Sequence, residues 1–209
     1  MKTLFFFFFS CIVSVASAQI SLSISAGYDP NEINLYNKPA TDGNNAYWNK
    51  GFSVGLNSDY SLNENLFFSA LFQYSHYRFD RFVNAGVSIP EISFISAQGE
   101  DSKLFRASVE AKYFLNPQNR FRFFIFSGVG ILKENLGSVK TEFSDMNKIG
   151  LISNTINSED KTFFVHSLGA GVRTAIISSL FVDTIASYYS DYNSRFQMFL
   201  GLNLGYQLF

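Results

Sequence analysis

Hydrophobic and polar residues alternate one by one over much of this chain. The clearest stretch is residues 196–209, where one parity is apolar and the other is mostly small or polar. The apolar parity holds Phe196, Met198, Leu200, Leu202, Leu204, Tyr206 and Leu208. A period of two residues is that of a β-strand, whose successive side chains point to opposite faces. A long apolar face opposite a small polar one predicts a strand between lipid and a wet lumen.

The same alternation recurs along the chain and predicts eight strands. They cover residues 20–29, 51–62, 66–79, 104–115, 120–133, 162–177, 180–192 and 195–209. Long loops are expected at residues 30–49, 80–103 and 134–161, and the intervening connections are short turns. Short turns on one side and long loops on the other are typical of bacterial outer-membrane barrels. The predicted fold class is therefore all-β, an eight-stranded antiparallel up-and-down transmembrane β-barrel.

Charged residues fix the register of the predicted strands. In residues 104–115, Arg106, Glu110 and Lys112 share one parity, opposite Phe105 and Val109. An Arg or Lys on the lipid face costs about 2 to 4 kcal/mol at the bilayer midplane, so these charges are expected to face the lumen. Eight strands leave a lumen only wide enough for side chains. The predicted lumen charge network is Asp59, Arg106, Glu110, Lys112, Arg122, Arg173 and Asp183.

Tyrosine and tryptophan cluster near the predicted strand ends. Two bands of amphipathic rings at the two membrane interfaces are what anchoring in a bilayer requires. The predicted girdle is Tyr28, Trp48, Tyr60, Tyr74, Tyr113, Tyr188, Tyr192 and Tyr206. The alternative is that some of these rings form a platform for an aromatic ligand.

Composition and the N-terminus indicate how the chain is exported and where it is located. With 209 residues, 47% of them hydrophobic, and a net charge of -1, the chain suits one domain and shows no sign of binding nucleic acid. Residues 1–18 have the charge, apolar core and small-residue cleavage site of a signal peptide. The barrel domain is then residues 19–209, exported through the periplasm to the bacterial outer membrane. Cys11, the one cysteine, lies in the leader, so no disulfide is expected; the alternative is a lipoprotein acylated at Cys11.

Three segments carry a family resemblance. They are SGVGIL at 127–132, LGAGVR at 168–173 and the terminal LGYQLF. Over residues 19–209 the chain resembles the small eight-stranded outer-membrane β-barrel family, which includes OmpA-like, OmpX-like and PorT-like proteins. One departure concerns the terminal aromatic residue, because Phe209 is out of phase with Tyr206 and Leu208 is the residue in phase.

The resemblance raises the possibility of an enzyme, since the family includes barrels that modify lipid A. Lipid A deacylases of this kind use a His and a Ser two positions apart on one strand. Here His166 and Ser167 are adjacent and therefore on opposite faces. The only other histidine is His76, and no spacing of ligand residues resembles a metal site. We therefore expect no enzyme, no cofactor and no metal.

The function predicted from these patterns is a structural or binding role exercised through the surface loops. The expected partners are outer-membrane lipid and an extracellular protein or lipid that contacts loops 30–49, 80–103 and 134–161, with the protein itself a monomer. Residues 87–95 (VSIPEISFI) are either a hairpin continuing above the membrane or an exposed apolar patch. The alternatives are a PorT-like accessory of secretion or the envelope, and a lipid-modifying enzyme. A soluble lipocalin-like carrier would need an apolar interior, whereas the inward parity here is charged.

Overall fold

The chain is almost entirely β-strand in its computed structural model, which describes residues 19–30, 33–34, 44–84, 92–145, 150–191 and 196–208. The strands are β1 Ile20–Asp29, β2 Ile33–Asn34, β3 Asn44–Ser61, β4 Leu66–Asn84, β5 Ile92–Gly99, β6 Ser102–Phe114, β7 Phe121–Leu136, β8 Val139–Asp145, β9 Gly150–Ile156, β10 Glu159–Ala175, β11 Leu180–Asp191 and β12 Phe196–Gln207. No helix in these ranges has the length and apolarity to cross a bilayer. The predicted signal peptide, Tyr192 and Phe209 lie outside the described residues.

Eight long strands form a closed barrel, which confirms the predicted fold class. Around the wall the order is β1, β12, β11, β10, β7, β6, β4 and β3, with every neighbouring pair antiparallel. The pairing of β1 with β3 closes the ring. Burial alternates strictly along β1 and β6, since each residue faces either outward or into the lumen. The outward positions are large and apolar, as Ile24, Phe72 and Val129 illustrate.

Short turns and both described chain ends meet at one end of the barrel, here called the turn end. Leu62 N–H donates to Leu66 O at 2.9 Å and Ile176 N–H to Leu180 O at 2.9 Å, closing two of these turns. The side chain of Asn63 accepts bonds from the amides of Asn65 (2.9 Å) and Leu66 (2.8 Å), an arrangement that stabilises tight turns. The opposite end, where the long connections lie, is the loop end.

The predicted long loops are largely wrong, because strands occupy most of their described residues. β3 begins at Asn44 and β4 runs to Asn84. Residues 80–103 also contain β5, and residues 134–161 contain β8 and β9. These three strands form a second sheet in the order β5-β8-β9, which we call the loop-side sheet. Above the membrane a strand needs no continuous apolar face toward lipid, so the long regular alternation is lost and the sequence no longer predicts a strand.

Candidate functional site: the sealed lumen and the loop-side sheet

Four buried charges cross the turn-end half of the lumen in one network. Asp59 accepts hydrogen bonds from Lys112 Nζ (2.8 Å), Arg173 Nη2 (2.6 Å) and the hydroxyl of Ser69 (2.6 Å). Arg173 also donates from Nε and Nη2 to the two carboxylate oxygens of Asp183, at 2.7 and 2.8 Å. All five side chains are buried. Buried charges persist when they are paired and hydrogen-bonded, so this network fills the space instead of leaving a channel.

The other predicted lumen charges are arranged differently. Arg106 Nη2 lies 3.7 Å from Glu110 Oε1, and the hydroxyls of Ser108 and Ser167 donate to the same oxygen at 3.2 and 3.1 Å. The guanidinium of Arg106 lies over the ring of Tyr189, 4.7 Å from its centroid, a favourable cation–π position. These two charges form a second group nearer the loop end.

Arg122 is the predicted network member that the structure leaves outside both groups. It is half-buried, it makes no salt bridge to any described residue, and its buried Nε has no hydrogen-bond partner. Its neighbour across β7 and β10 is Arg173. Among the described residues, Arg122 is thus the lumen cation that forms no salt bridge.

Aromatic rings lying over glycines fill the rest of the turn-end half of the lumen. A Cβ added to Gly169 would lie 2.3 Å from Cζ of Phe126, and one added to Gly171 would lie 2.4 Å from Cζ of Phe124. Each of these β7 rings occupies the space that a side chain on the facing β10 glycine would fill. Phe67, Phe114, Phe124, Phe126 and Ile185 form the buried apolar cluster of this end.

An apolar cluster closes the loop end of the lumen. It comprises Ile33, Ala46, Trp48, Tyr77, Leu104, Leu132, Leu136, Val139, Val165, Tyr189 and Phe199. Val139 belongs to β8, so the loop-side sheet supplies part of the closure. The lumen is thus blocked by paired charges at one end and by packed side chains at the other.

Trp48 corrects the predicted aromatic girdle. Its side chain is 0% exposed and lies in the loop-end cluster, with its indole Nε1–H donating to Glu100 O at 2.7 Å. The pairing of β3 with β4 shifts register between Asn49 and Phe52. Such a β-bulge adds one residue and exchanges inward and outward parity. Phe52 therefore faces outward while Trp48 faces inward.

The other described residues of the predicted girdle lie on the barrel surface. Tyr28, Tyr113, Tyr188 and Tyr206 are exposed. Tyr60 and Tyr74 are half-buried, and the ring of Tyr74 packs against Phe105 with centroids 5.0 Å apart.

The structure also contains inward polar residues that the predicted network omitted. Asp29 Oδ2 accepts a bond from the Ser53 hydroxyl at 2.7 Å, and Ser53 Oγ lies 2.6 Å from Ser75 Oγ. Tyr77 and Tyr189 are buried beside them in the loop-end half of the lumen. Strand parity was a sufficient signal, since Asp29 shares the parity of Ser25 and Gly27.

Glu100 extends the pairing of β5 with β8 and accepts the bond from Trp48 of the barrel wall. Its amide donates to Ser138 O at 2.9 Å, and its carboxylate accepts bonds from the Ser138 hydroxyl at 2.8 Å and amide at 3.2 Å. These two donors lower the pKa of the Glu100 carboxyl. In the same sheet the Lys140 ammonium, followed by the Ser96 hydroxyl, lowers the pKa of Glu142.

The two edges of the loop-side sheet differ in how they are protected. Neither β5 nor β9 pairs with a described strand other than β8. β5 has a register shift between Phe94 and Ser96, a bulge of the kind that blunts sheet edges. β9, Gly150–Ile156, has no bulge, charge or proline. Residues 151–155 are exposed, and Leu151 is 70% exposed.

The histidines do not form a catalytic group with the neighbouring serine. His166 is exposed on the outer wall whereas Ser167 is buried in the lumen, where it bonds to Glu110. His76 Nε2 lies 3.0 Å from Asp101 Oδ2 at the surface. In the described ranges, no group of three or more His, Cys, Asp or Glu is placed to hold a metal ion.

Comparison with known proteins identifies the class at the level of fold. No protein-family model and no curated protein matches the sequence. The structure is similar to the crystal structure of Neisserial surface protein A, with a TM-score of 0.54 and 15% identity over 92% of this chain and 99% of that one. It is also similar to Ail, the attachment invasion locus protein of Yersinia pestis, with a TM-score of 0.50 and 15% identity over 91% and 97%. The fold is that of the small eight-stranded outer-membrane β-barrels, as the resemblance implied.

Proposed function

We propose that this protein is a monomeric integral protein of the bacterial outer membrane that binds an extracellular polypeptide through the loop-side sheet. The wall supports membrane residence, because a continuous surface of exposed Leu, Ile, Val and Phe is stable only against lipid. The turn end then faces the periplasm and the loop end faces outward.

The sealed lumen supports a role other than transport. Eight-stranded barrels have interiors that side chains can fill. Here the network of Asp59, Lys112, Arg173 and Asp183 and the loop-end cluster fill both halves. The separation of His166 from Ser167 across the wall supports a non-catalytic role. We therefore assign the function to the loop end of the protein, outside the membrane.

The unprotected edge of β9 is the observation that carries the proposal. A strand at a sheet edge presents unpaired amide and carbonyl groups, and soluble edges are normally blunted by bulges, charges or proline. β5 follows this rule and β9 does not. The partner that fits such an edge is an extended peptide segment, which adds a strand through main-chain hydrogen bonds. Leu151 and Ile152 would supply apolar contacts to that strand.

Selection of displayed random peptides against the folded full-length protein in detergent micelles tests the proposal. A charge placed on an edge strand opposes strand addition. We expect Leu151→Lys to weaken binding of the selected peptides by roughly tenfold or more, about 1.4 kcal/mol.

Ile95→Lys is the matched control, since Ile95 is 50% exposed on the other, bulged edge of the same sheet. Peptides should bind this variant as they bind the wild type. Selected peptides that bind Leu151→Lys as tightly as the wild type would show that β9 is not the site.

A further inference from the structure

The turn-end opening of the lumen contains a small polar cavity that is separate from the loop-side sheet. Its volume is about 30 Å³. Its polar lining comes from Gln19, Ser21, Arg122, Arg173, Ser178, Ser179 and Gln207, with the rings of Phe67 and Phe181 beside them. Residues from both ends of the barrel sequence and from the β10–β11 turn thus meet around one space.

The charges around this cavity do not balance. In the network, Asp59 and Asp183 neutralise Lys112 and Arg173. Arg122 adds a third cation directly across from Arg173 in the β7–β10 pairing. Like charges opposite each other on paired strands are destabilising. The half-buried position of Arg122 adds to that cost, because its guanidinium has lost part of its hydration.

No described acid forms a salt bridge with Arg122. The charge of Asp183 acts on Arg122, but both carboxylate oxygens of Asp183 already bond to Arg173. The Nε of Arg122 is buried without a hydrogen-bond partner. An unpaired buried donor is destabilising, and more so when the group is charged. An anion in the cavity would remove both costs at once.

We infer that this cavity binds a small carboxylate group presented from the turn end. The planar guanidinium fork of Arg122 matches a carboxylate through two parallel hydrogen bonds. The hydroxyls of Ser178 and Ser179 are further donors at the rim. A cavity of about 30 Å³ holds roughly two water molecules, which is the size of a carboxylate head. The remainder of the ligand would extend out of the barrel on that side.

Titration of the full-length protein, folded in detergent micelles and labelled with ¹⁵N at arginine, tests the site. The probes are acetate and, at equal ionic strength, chloride. We expect the Arg122 Nε–H signal, assigned by its loss in Arg122→Gln, to shift saturably with acetate and much less with chloride. A signal that stays unchanged, that drifts without saturation, or that responds equally to chloride would overturn the inference.

Arg120 provides the matched control, because it is an exposed arginine two residues earlier that does not line the cavity. We expect acetate to raise the unfolding temperature of the wild type and of Arg120→Gln, but not of Arg122→Gln. Without acetate, Arg122→Gln should unfold at the same temperature as the wild type or higher, since it relieves the repulsion with Arg173. An acetate effect that survives in Arg122→Gln would place the bound anion elsewhere and refute the site.

Two further probes identify the source of the carboxylate. Glycylglycine has a peptide C-terminal carboxylate, and glycylglycinamide is the same molecule without that charge. Saturable binding of the acid but not the amide, at lower concentration than acetate, would indicate a peptide terminus as the ligand. Equal potency of glycylglycine and acetate would indicate a free small carboxylate, and binding of the amide would contradict carboxylate recognition.

Discussion

Asp183 is the residue whose loss the lumen should tolerate least. It is 0% exposed and takes two hydrogen bonds from Arg173. In Asp183→Leu the guanidinium of Arg173 would remain buried but would keep only one of its two carboxylate partners, Asp59. Breaking a buried pair in this way costs about 3 to 5 kcal/mol. The free energy of unfolding by denaturant, with the protein in lipid vesicles, measures the loss.

Asp160→Leu is the control for that change. Asp160 lies 3.5 Å from Lys133 in an ion pair that is more than half exposed. Exposed pairs contribute about 0 to 1 kcal/mol, so this variant should unfold near the wild type. If Asp183→Leu and Asp160→Leu lowered the free energy of unfolding equally, burial of the charge network would contribute nothing to stability.

Trp48 is the only tryptophan in the chain, so its fluorescence reports its location directly. Because the indole lies inside the loop-end cluster, its emission should be blue-shifted in the folded protein. Aqueous acrylamide should quench it weakly, and so should lipids brominated on their acyl chains. Strong quenching by brominated lipid would show that the Trp48 side chain lies in the outer girdle, and this would contradict the bulge in β3.

At the scale of paired strands, the fit between β7 rings and β10 glycines limits what can be substituted. In Gly171→Val, the new side chain would meet Phe124 and the backbone oxygen of Thr184, 2.6 Å from its Cβ. Overpacking of this kind costs about 1 to 3 kcal/mol. Thermal unfolding followed by gel mobility measures the effect.

Ala170→Val tests a comparable enlargement to valine on the other face of β10. Ala170 is exposed on the outer wall, where lipid accommodates the two added methyl groups. Its unfolding midpoint should stay close to that of the wild type. A larger loss in Ala170→Val than in Gly171→Val would reverse the assignment of lumen and lipid faces.

The loop-side sheet should loosen in acid before the barrel does. The folded-state pKa of Glu100 is lowered by the Ser138 hydroxyl and amide, and that of Glu142 by Lys140 and Ser96. A lowered carboxyl pKa contributes stability that is present above the ordinary value and is lost as pH falls through the folded value. Hydrogen-exchange protection of β5 and β8 amides should therefore fall in acid while that of β1 and β12 persists.

Glu100→Gln is the control for this pH effect. It keeps an acceptor for Ser138 but removes the charge that titrates. Protection of the sheet in this variant should depend less on pH than in the wild type. Simultaneous loss of β1 and β5 protection would show that the two sheets do not respond separately.

Sequence periodicity predicted the barrel strands well because lipid imposes a strict rule on their outer faces. Inside the predicted spans, Arg106, Glu110 and Arg173 face the lumen as parity requires. Beyond the membrane that rule ends, so β8 and β9 carried no clear signal, and the apolar run at 87–95 indicated only the first part of β5. The bulge between Asn49 and Phe52 was also invisible, because one inserted residue exchanges faces without changing composition.

For the whole molecule, the two blocks in the lumen predict an absence of transport. The wild-type protein should give no large steady conductance in a planar bilayer, because paired charges fill one half of the barrel and packed side chains the other. Single-channel recording at neutral pH measures this. Conductance comparable to that of a general diffusion porin would contradict the sealed lumen.

The bond from Arg173 to Asp59 has a consequence for how the barrel is assembled. The two residues are 114 positions apart in sequence, and Arg173 lies on β10 whereas Asp59 lies on β3. Asp59 therefore has both of its cationic partners, Lys112 and Arg173, only when β3, β6 and β10 have all joined the wall. Only the wall in its correct register brings Asp59 and Arg173 together, since a slip of one residue would turn Arg173 toward lipid. The network thus stabilises the closed barrel in its correct register and disfavours barrels whose strands have joined in the wrong alignment.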